Sequence, residues 1–174
     1  MLKITVPAAE FWDEIHEEFI YKKEQTLQLE HSLVSLSKWE SKWNKAFLGK
    51  QEKTDEEILD YVRCMTLTQN IDPEVYTRLS AENYAAINAY IEAPMTATCL
   101  IEDKQARGHK ETVTSELIYY WMISYNIPVE FQKWHLNRLL TLIRVCNVKN
   151  SPPKRRSKRE MWNRNCLLYT SPSP

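Results

Sequence analysis

The chain has 174 residues, of which 43% are hydrophobic and 26% charged, with a formal net charge of zero. That length suits one domain with a sizeable core, and the balance is ordinary for a soluble globular protein. Only two glycines occur, Gly49 and Gly108, which argues against glycine-rich phosphate loops, dinucleotide-binding turns and many-turned β-sandwiches.

The zero net charge hides an asymmetry. Residues 151–165 carry six basic side chains against one acid, Glu160, so residues 1–150 sum to −5. An acidic body followed by a basic arm is the expected layout. The four cysteines, Cys64, Cys99, Cys146 and Cys166, show no paired spacing. The start of the chain turns acidic at once and has no apolar signal-peptide region, and no run approaches 18 apolar residues. These features predict a reduced cytosolic protein, neither secreted nor membrane-spanning.

Leu2-Lys3-Ile4-Thr5-Val6 alternates apolar and polar residues up to Pro7, a strand signal. Residues 10–21 fit two patterns. Phe11, Ile15 and Phe19 recur every four residues, as in a helix, yet the apolar runs on either side of a polar centre also fit a hairpin. The hairpin is preferred because residues 26–31 next alternate cleanly, which lets a small antiparallel sheet close. Helical spacing then takes over at Leu33, Leu36, Trp39 and Trp43. Ser37 to Glu40 fits a capping box, and a start one turn earlier fits as well.

Thr54-Asp55-Glu56-Glu57 is a second capping box, followed by Ile58, Leu59, Val62 and Met65 at helical spacing. Asp72-Pro73 predicts a helix start and Ser80 another, with Pro94 ending the latter. Thr96–Ile101 and Thr112-Val113 read as strands of a short hairpin around Gly108. Thr114 or Ser115 caps a helix over Leu117–Tyr125. Pro128 opens a last long helix carrying Phe131, Trp134 or His135, Leu139, Ile143 and Cys146, which Ser151-Pro152-Pro153 stops.

The expected fold is therefore α+β and predominantly α-helical. A small antiparallel β element packs on a bundle of about five to six helices, with a β-hairpin insertion near 96–113. Residues 1–150 form one globular domain, β-rich over 1–31 and helical over 32–150. Residues 151–165 form a basic arm. Residues 166–174, CLLYTSPSP, resemble the translation of a sequencing adapter and are set aside, with the natural chain expected to continue past Asn165.

Catalytic patterns find little support. His16 lies among Glu14, Glu17 and Glu18, but no zinc-type histidine spacing exists. Cys146 and His135 are eleven residues apart, about 16 Å along a helix, too far for a nucleophile pair. There is no G-x-S-x-G and no phosphate-loop motif. The expectation is a non-enzymatic protein with no metal and no cofactor.

Two features suit partner binding instead. Lys154, Arg155, Arg156, Lys158 and Arg159 form a basic cluster that fits phosphates or an acidic protein surface, and equally a solvated tail. Tyr119, Tyr120, Trp121 and Trp134 carry the aromatic density of the last two helices. Three consecutive rings cannot all face one way on a helix, so at least one of 119–121 points away from the main core. Core packing and a partner surface both remain open for these rings.

The stretches TLQLEHSLVSLSKWESKW (Thr26–Trp43) and ELIYYWMISYNIPVEFQKWHLNRLLTLIRVCNVKNSPPKRRSKRE (Glu116–Glu160) resemble small proteins of the structural gene block of siphovirus-type tailed bacteriophages from metagenomes. Within that block, the chain is similar to tail assembly chaperones. The resemblance implies transient binding of tape measure and tail tube proteins before the tube closes, with no individual functional residue carried over. The alternatives are a head–tail connector or minor tail protein, and a nucleic-acid-binding regulator using the basic arm.

Overall fold

The computed structural model describes residues 1–14, 16–98 and 112–150. The fold is α+β and mainly helical. Four strands come first: β1 (Leu2–Val6), β2 (Ala9–Asp13), β3 (Glu18–Lys22) and β4 (Gln25–Leu29). Then follow α1 (Leu33–Trp43), α2 (Asp55–Met65), a 3-10 segment (Pro73–Arg78), α3 (Ala81–Glu92), α4 (Ser115–Ser124), a second 3-10 segment (Val129–Lys133) and α5 (Leu136–Asn150).

The strands make one long antiparallel ribbon. β1 pairs β4 with Ile4 opposite Leu27, and β2 pairs β3 with Phe11 opposite Ile20. The register is the same in both halves, so the ribbon continues across Pro7-Ala8 even though pairing lapses there. Proline has no N–H to give to a ladder. The hairpin expected over residues 10–21 is therefore present, as the outer half of this ribbon.

The two halves have different surroundings. In the inner half, Ile4, Val6, Leu27 and Leu29 alternate onto the core and are buried. The far side of β4 is paired as well: Leu67 N–H donates to the Gln28 carbonyl at 2.8 Å, and Glu30 N–H to the Met65 carbonyl at 2.9 Å. The outer half leaves the core. It is held from one side by Lys22, whose ammonium lies 2.9 Å from both Asp72 and Glu74 carboxylates.

Helix starts follow local chemistry. Ser32, one turn before Ser37, caps α1, its hydroxyl accepting from Ser35 N–H. Thr54 and Glu57 close a reciprocal capping box on α2. Ser80 and Thr114 cap α3 and α4. Asp72-Pro73 starts a helix as expected, but a 3-10 segment of six residues. Thr96–Thr98 and Thr112-Val113 are not strands, and the rest of the expected 96–113 hairpin lies outside the described residues. So do residues 151–174.

The last helix differs from expectation. It does not run on from Pro128: residues 129–133 form a 3-10 segment, Trp134 is extended, and α5 begins at Leu136. The cause is a long-range pairing within the chain that claims the backbone at residue 135. Ser32 and His135 form an isolated antiparallel bridge, and Leu136 N–H donates to the His31 carbonyl at 2.7 Å. His135 then acts as the N-cap, its Nδ1 accepting from Asn137 N–H at 3.3 Å.

A buried polar junction forms around this bridge. The rings of His31 and His135 lie 5.1 Å apart, edge to face. The Tyr61 hydroxyl and His31 Nδ1 share a hydrogen bond of 2.6 Å, and His135 Nε2–H donates to the Tyr90 carbonyl at 2.9 Å. Asn137 Nδ2 donates to the Ile91 and Ala93 carbonyls, which ties the start of α5 to the end of α3. Around it pack Leu33, Leu36, Trp39, Met65, Leu136 and Leu139, all fully buried. Each such side chain contributes about 1.5–3 kcal/mol relative to exposure.

Burial pushes the His31 imidazole down to about 4, with the neighbouring His135 adding to the shift. Burial lowers His135 too. Both histidines therefore fold neutral and take up protons more readily once unfolded. Their contribution is complete above the unfolded value of about 6.5 and is lost as pH falls towards 4. Chemical denaturation should give no histidine-linked change in stability between about pH 7 and 8, and a loss of about 3 kcal/mol for His31 between pH 6.5 and 4. His31→Gln should flatten that part of the curve; an unchanged slope would contradict the assignment.

Candidate functional site

α4 has the sequence SELIYYWMIS, apolar nearly all round. Helices of that kind are normally surrounded by protein. Here Ile118 and Met122 are buried, together with Ser115, and Tyr119, Trp121 and Tyr125 are partly buried against the core. Tyr120 and Ile123 form a second stripe that faces outward, 62% and 76% exposed. Leu117, Trp121 and Tyr125 form a third, four residues apart, along the side facing α5.

That third stripe is one wall of a groove of about 1130 Å³. Leu140, Ile143, Arg144 and Asn147 of α5 form the opposite wall, and residues 48–51 and 112–113 close the ends. A cleft of this size admits a small molecule or the side chains of a peptide segment. The floor is apolar. Among the described residues lining it, Lys50 and Arg144 are the charged ones, and both are positive.

A buried carboxylate sets the position of α4. Glu40, on α1, accepts from Ser115 N–H at 2.7 Å through one oxygen and from Phe47 N–H at 2.9 Å through the other. It thus fixes the first turn of α4 and the loop that leads to Leu48. A carboxylate at a helix N-terminus satisfies an otherwise orphaned N–H and complements the helix dipole. At the other end, Asn126 takes a left-handed φ of 52°, and Ile127 N–H donates to the Met122 carbonyl at 2.8 Å. The chain therefore turns sharply and sends α5 back beside α4.

The aromatic residues singled out from sequence have separate fates. Tyr120 is the ring that points away from the core, and Trp121 lines the groove. Tyr119 is half-buried, its hydroxyl donating to Gln132 Oε1 at 2.9 Å, and burial raises its phenol. Trp134 is held between the Phe131 ring, stacked at 3.9 Å, and the Arg138 guanidinium at 4.0 Å. It braces the second 3-10 segment and lies off the groove. Lys154, Arg155, Arg156, Lys158 and Arg159 lie outside the described residues.

Sequence reasoning missed Ile123, Leu117, Tyr125 and Leu140 as surface or groove positions. The signal was present, since seven consecutive apolar and aromatic residues, Leu117 to Ile123, exceed what one core face of a helix needs. It also missed the ribbon's outer half, where Phe11, Trp12, Phe19, Ile20 and Tyr21 are all exposed.

No group of three or more histidine, cysteine or acidic side chains converges as a metal site among the described residues. Burial raises the Cys64 thiol, the opposite of an activated nucleophile. No helix among the described residues is long and apolar enough to cross a membrane. Comparison with protein-family models, curated proteins and solved structures finds no match to this chain.

Glu40→Ala should leave two buried N–H groups unpaired and lower stability by roughly 2–4 kcal/mol. Glu40→Gln keeps one acceptor and should lose about half as much. Urea midpoints of the two variants check this; equal, near-zero losses would contradict the role of Glu40.

Proposed function

We propose that the chain is a non-enzymatic assembly factor whose α4–α5 groove and outer α4 face bind an apolar helical segment of a client protein. The observation that carries this is α4 itself, which keeps Tyr120 and Ile123 exposed beside a groove lined by Leu117, Trp121 and Tyr125. A helix laid into an apolar groove is a recurrent recognition mode, read through anchors three and four residues apart. Tyr120, Ile123 and Trp121 offer matching positions on the receiving side.

The resemblance of Thr26–Trp43 and Glu116–Glu160 to phage structural-block proteins supports a setting for this binding. In that setting the chain acts as a tail assembly chaperone in the bacterial host cytoplasm. Its clients are the tape measure protein, which is long and helical, and tail tube subunits. Covering such segments until the tube closes requires reversible contact and no chemistry. The basic cluster at 154–159, directly after α5 in sequence, suits recruitment of acidic client surfaces.

Co-expression with overlapping tape measure fragments tests the reading. Wild-type chain should co-purify with at least one fragment and be absent from finished particles. Tyr120→Ser/Ile123→Ser, at two exposed positions, should keep the fold and weaken capture at least tenfold, as loss of interface anchors does. Undiminished capture by that variant would contradict the α4 surface. A fixed stoichiometry in mature particles would favour a connector or minor tail protein instead.

A further inference from the structure

The outer half of the ribbon has the converse chemistry of the groove. Its register puts Trp12, Phe19 and Tyr21 on one face, and Phe11, Ile20 and Lys22 on the other. The second face leans on the first 3-10 segment, where Lys22 meets Asp72 and Glu74, and Arg78 Nη1 donates to the Pro7 carbonyl at 3.0 Å. The first face has no such cover. Trp12, Phe19 and Tyr21 are 51%, 71% and 60% exposed, with Trp12 and Phe19 packed edge to face at 4.9 Å.

A two-stranded ribbon carrying large rings in water is at best marginally stable alone, and clustered exposed aromatic groups mark an interaction site. The charge around these rings is strongly negative. Residues 9–24 contain Glu10, Asp13, Glu14, Glu17, Glu18 and Glu24 against Lys22 and Lys23, a net −4. Lys22 is already engaged by carboxylates outside the arm. Glu14, Glu17 and Glu18 are exposed at the turn.

We infer that this arm docks into the α4–α5 groove of a second copy of the chain. The arm offers aromatic anchors in an acidic frame. The groove offers an apolar floor, with Lys50 and Arg144 as its charged lining. The same positive lining disfavours the chain's own basic segment, residues 151–165, as the occupant. Among the described residues, no arm residue lines the groove of its own chain, and the contacts to residues 72–78 hold the arm elsewhere.

Arm and groove are different surfaces, so the contact is head-to-tail. Each copy uses its arm on one neighbour and its groove on the same or another neighbour, which gives a reciprocal pair, a ring or an open chain. The inference shares the groove with the client-binding reading but does not depend on the client. Arm and client would compete for one site, so an assembled state holds the groove covered until a client displaces the arm.

Sedimentation or light scattering over a concentration series tests this on the full chain. The wild type should self-associate, less so in high salt, because the complementary charges are screened. Trp12→Ser/Phe19→Ser removes the arm's anchors, and Lys50→Glu/Arg144→Glu reverses the groove's charges; all four positions are exposed, and circular dichroism checks the fold. Each variant alone should associate at least tenfold more weakly.

Mixed together, the two variants should form a 1:1 dimer and stop, because one retains a groove and the other an arm. Adding Glu14→Lys/Glu18→Lys to the charge-reversed groove variant should restore association. A wild type that stays monomeric up to about 100 µM, well above ordinary assembly affinities, would overturn the inference. So would a mixture that stays monomeric, or oligomers unaffected by the arm substitutions. A monomeric wild type that still captures tape measure fragments would overturn this inference alone and leave the client-binding reading intact.

Discussion

His31 and His135 must stay neutral and in contact for the rest of the fold to hold its arrangement. The bridge between Ser32 and His135 joins the end of β4 and the start of α1 to the start of α5. Through Tyr61 it reaches α2, and through Tyr90 and Asn137 it reaches α3. Five elements therefore converge on a few buried polar atoms, each with a partner. An unpartnered polar group at such a depth would cost about as much as a lost core side chain. The junction fixes where α5 begins, and hence which of its faces meets α4.

From that junction the molecule extends in two directions with different physics. Towards α4, Glu40 places a helix whose apolar surface exceeds what the core can cover. Towards the ribbon, the ladder runs past the core and takes exposed rings and acids with it. One surface is apolar with positive lining, the other aromatic with negative surroundings. Both are held on regular elements anchored at the centre. The requirement on a binding scaffold is a rigid support under an uncovered apolar face, and α4 meets it through Glu40 at one end and Asn126 at the other.

Much of the fold was legible in the sequence because its signals were local. Alternation gave β1 and β4, and Thr54 to Glu57, Ser80 and Thr114 marked helix starts by chemistry contained in four residues. The break before α5 was not legible, since it depends on residue 135 meeting residue 32, and no local pattern encodes a contact across about a hundred positions. Left to local spacing, Pro128 looked like the helix start. The triplet 119–121 correctly required one outward ring, and Tyr120 is that ring. Trp134 looked equivalent to Trp121, yet stacking on Phe131 and Arg138 takes it off the groove. The exposed arm was read as a hairpin but not as a surface, because alternation reports pairing and not what lies above each face.

The central claim is that α4 is the working surface and the histidine junction its fixed support. Amide hydrogen exchange, followed on the chain diluted to its monomer and with a saturating tape measure fragment, tests it most directly. The account predicts added protection at residues 115–125 and 140–147, with β1, β4 and the amides around His31 and Leu136 unchanged and slow in both states. Protection confined to other elements, or fast exchange at the junction in the free chain, would contradict it.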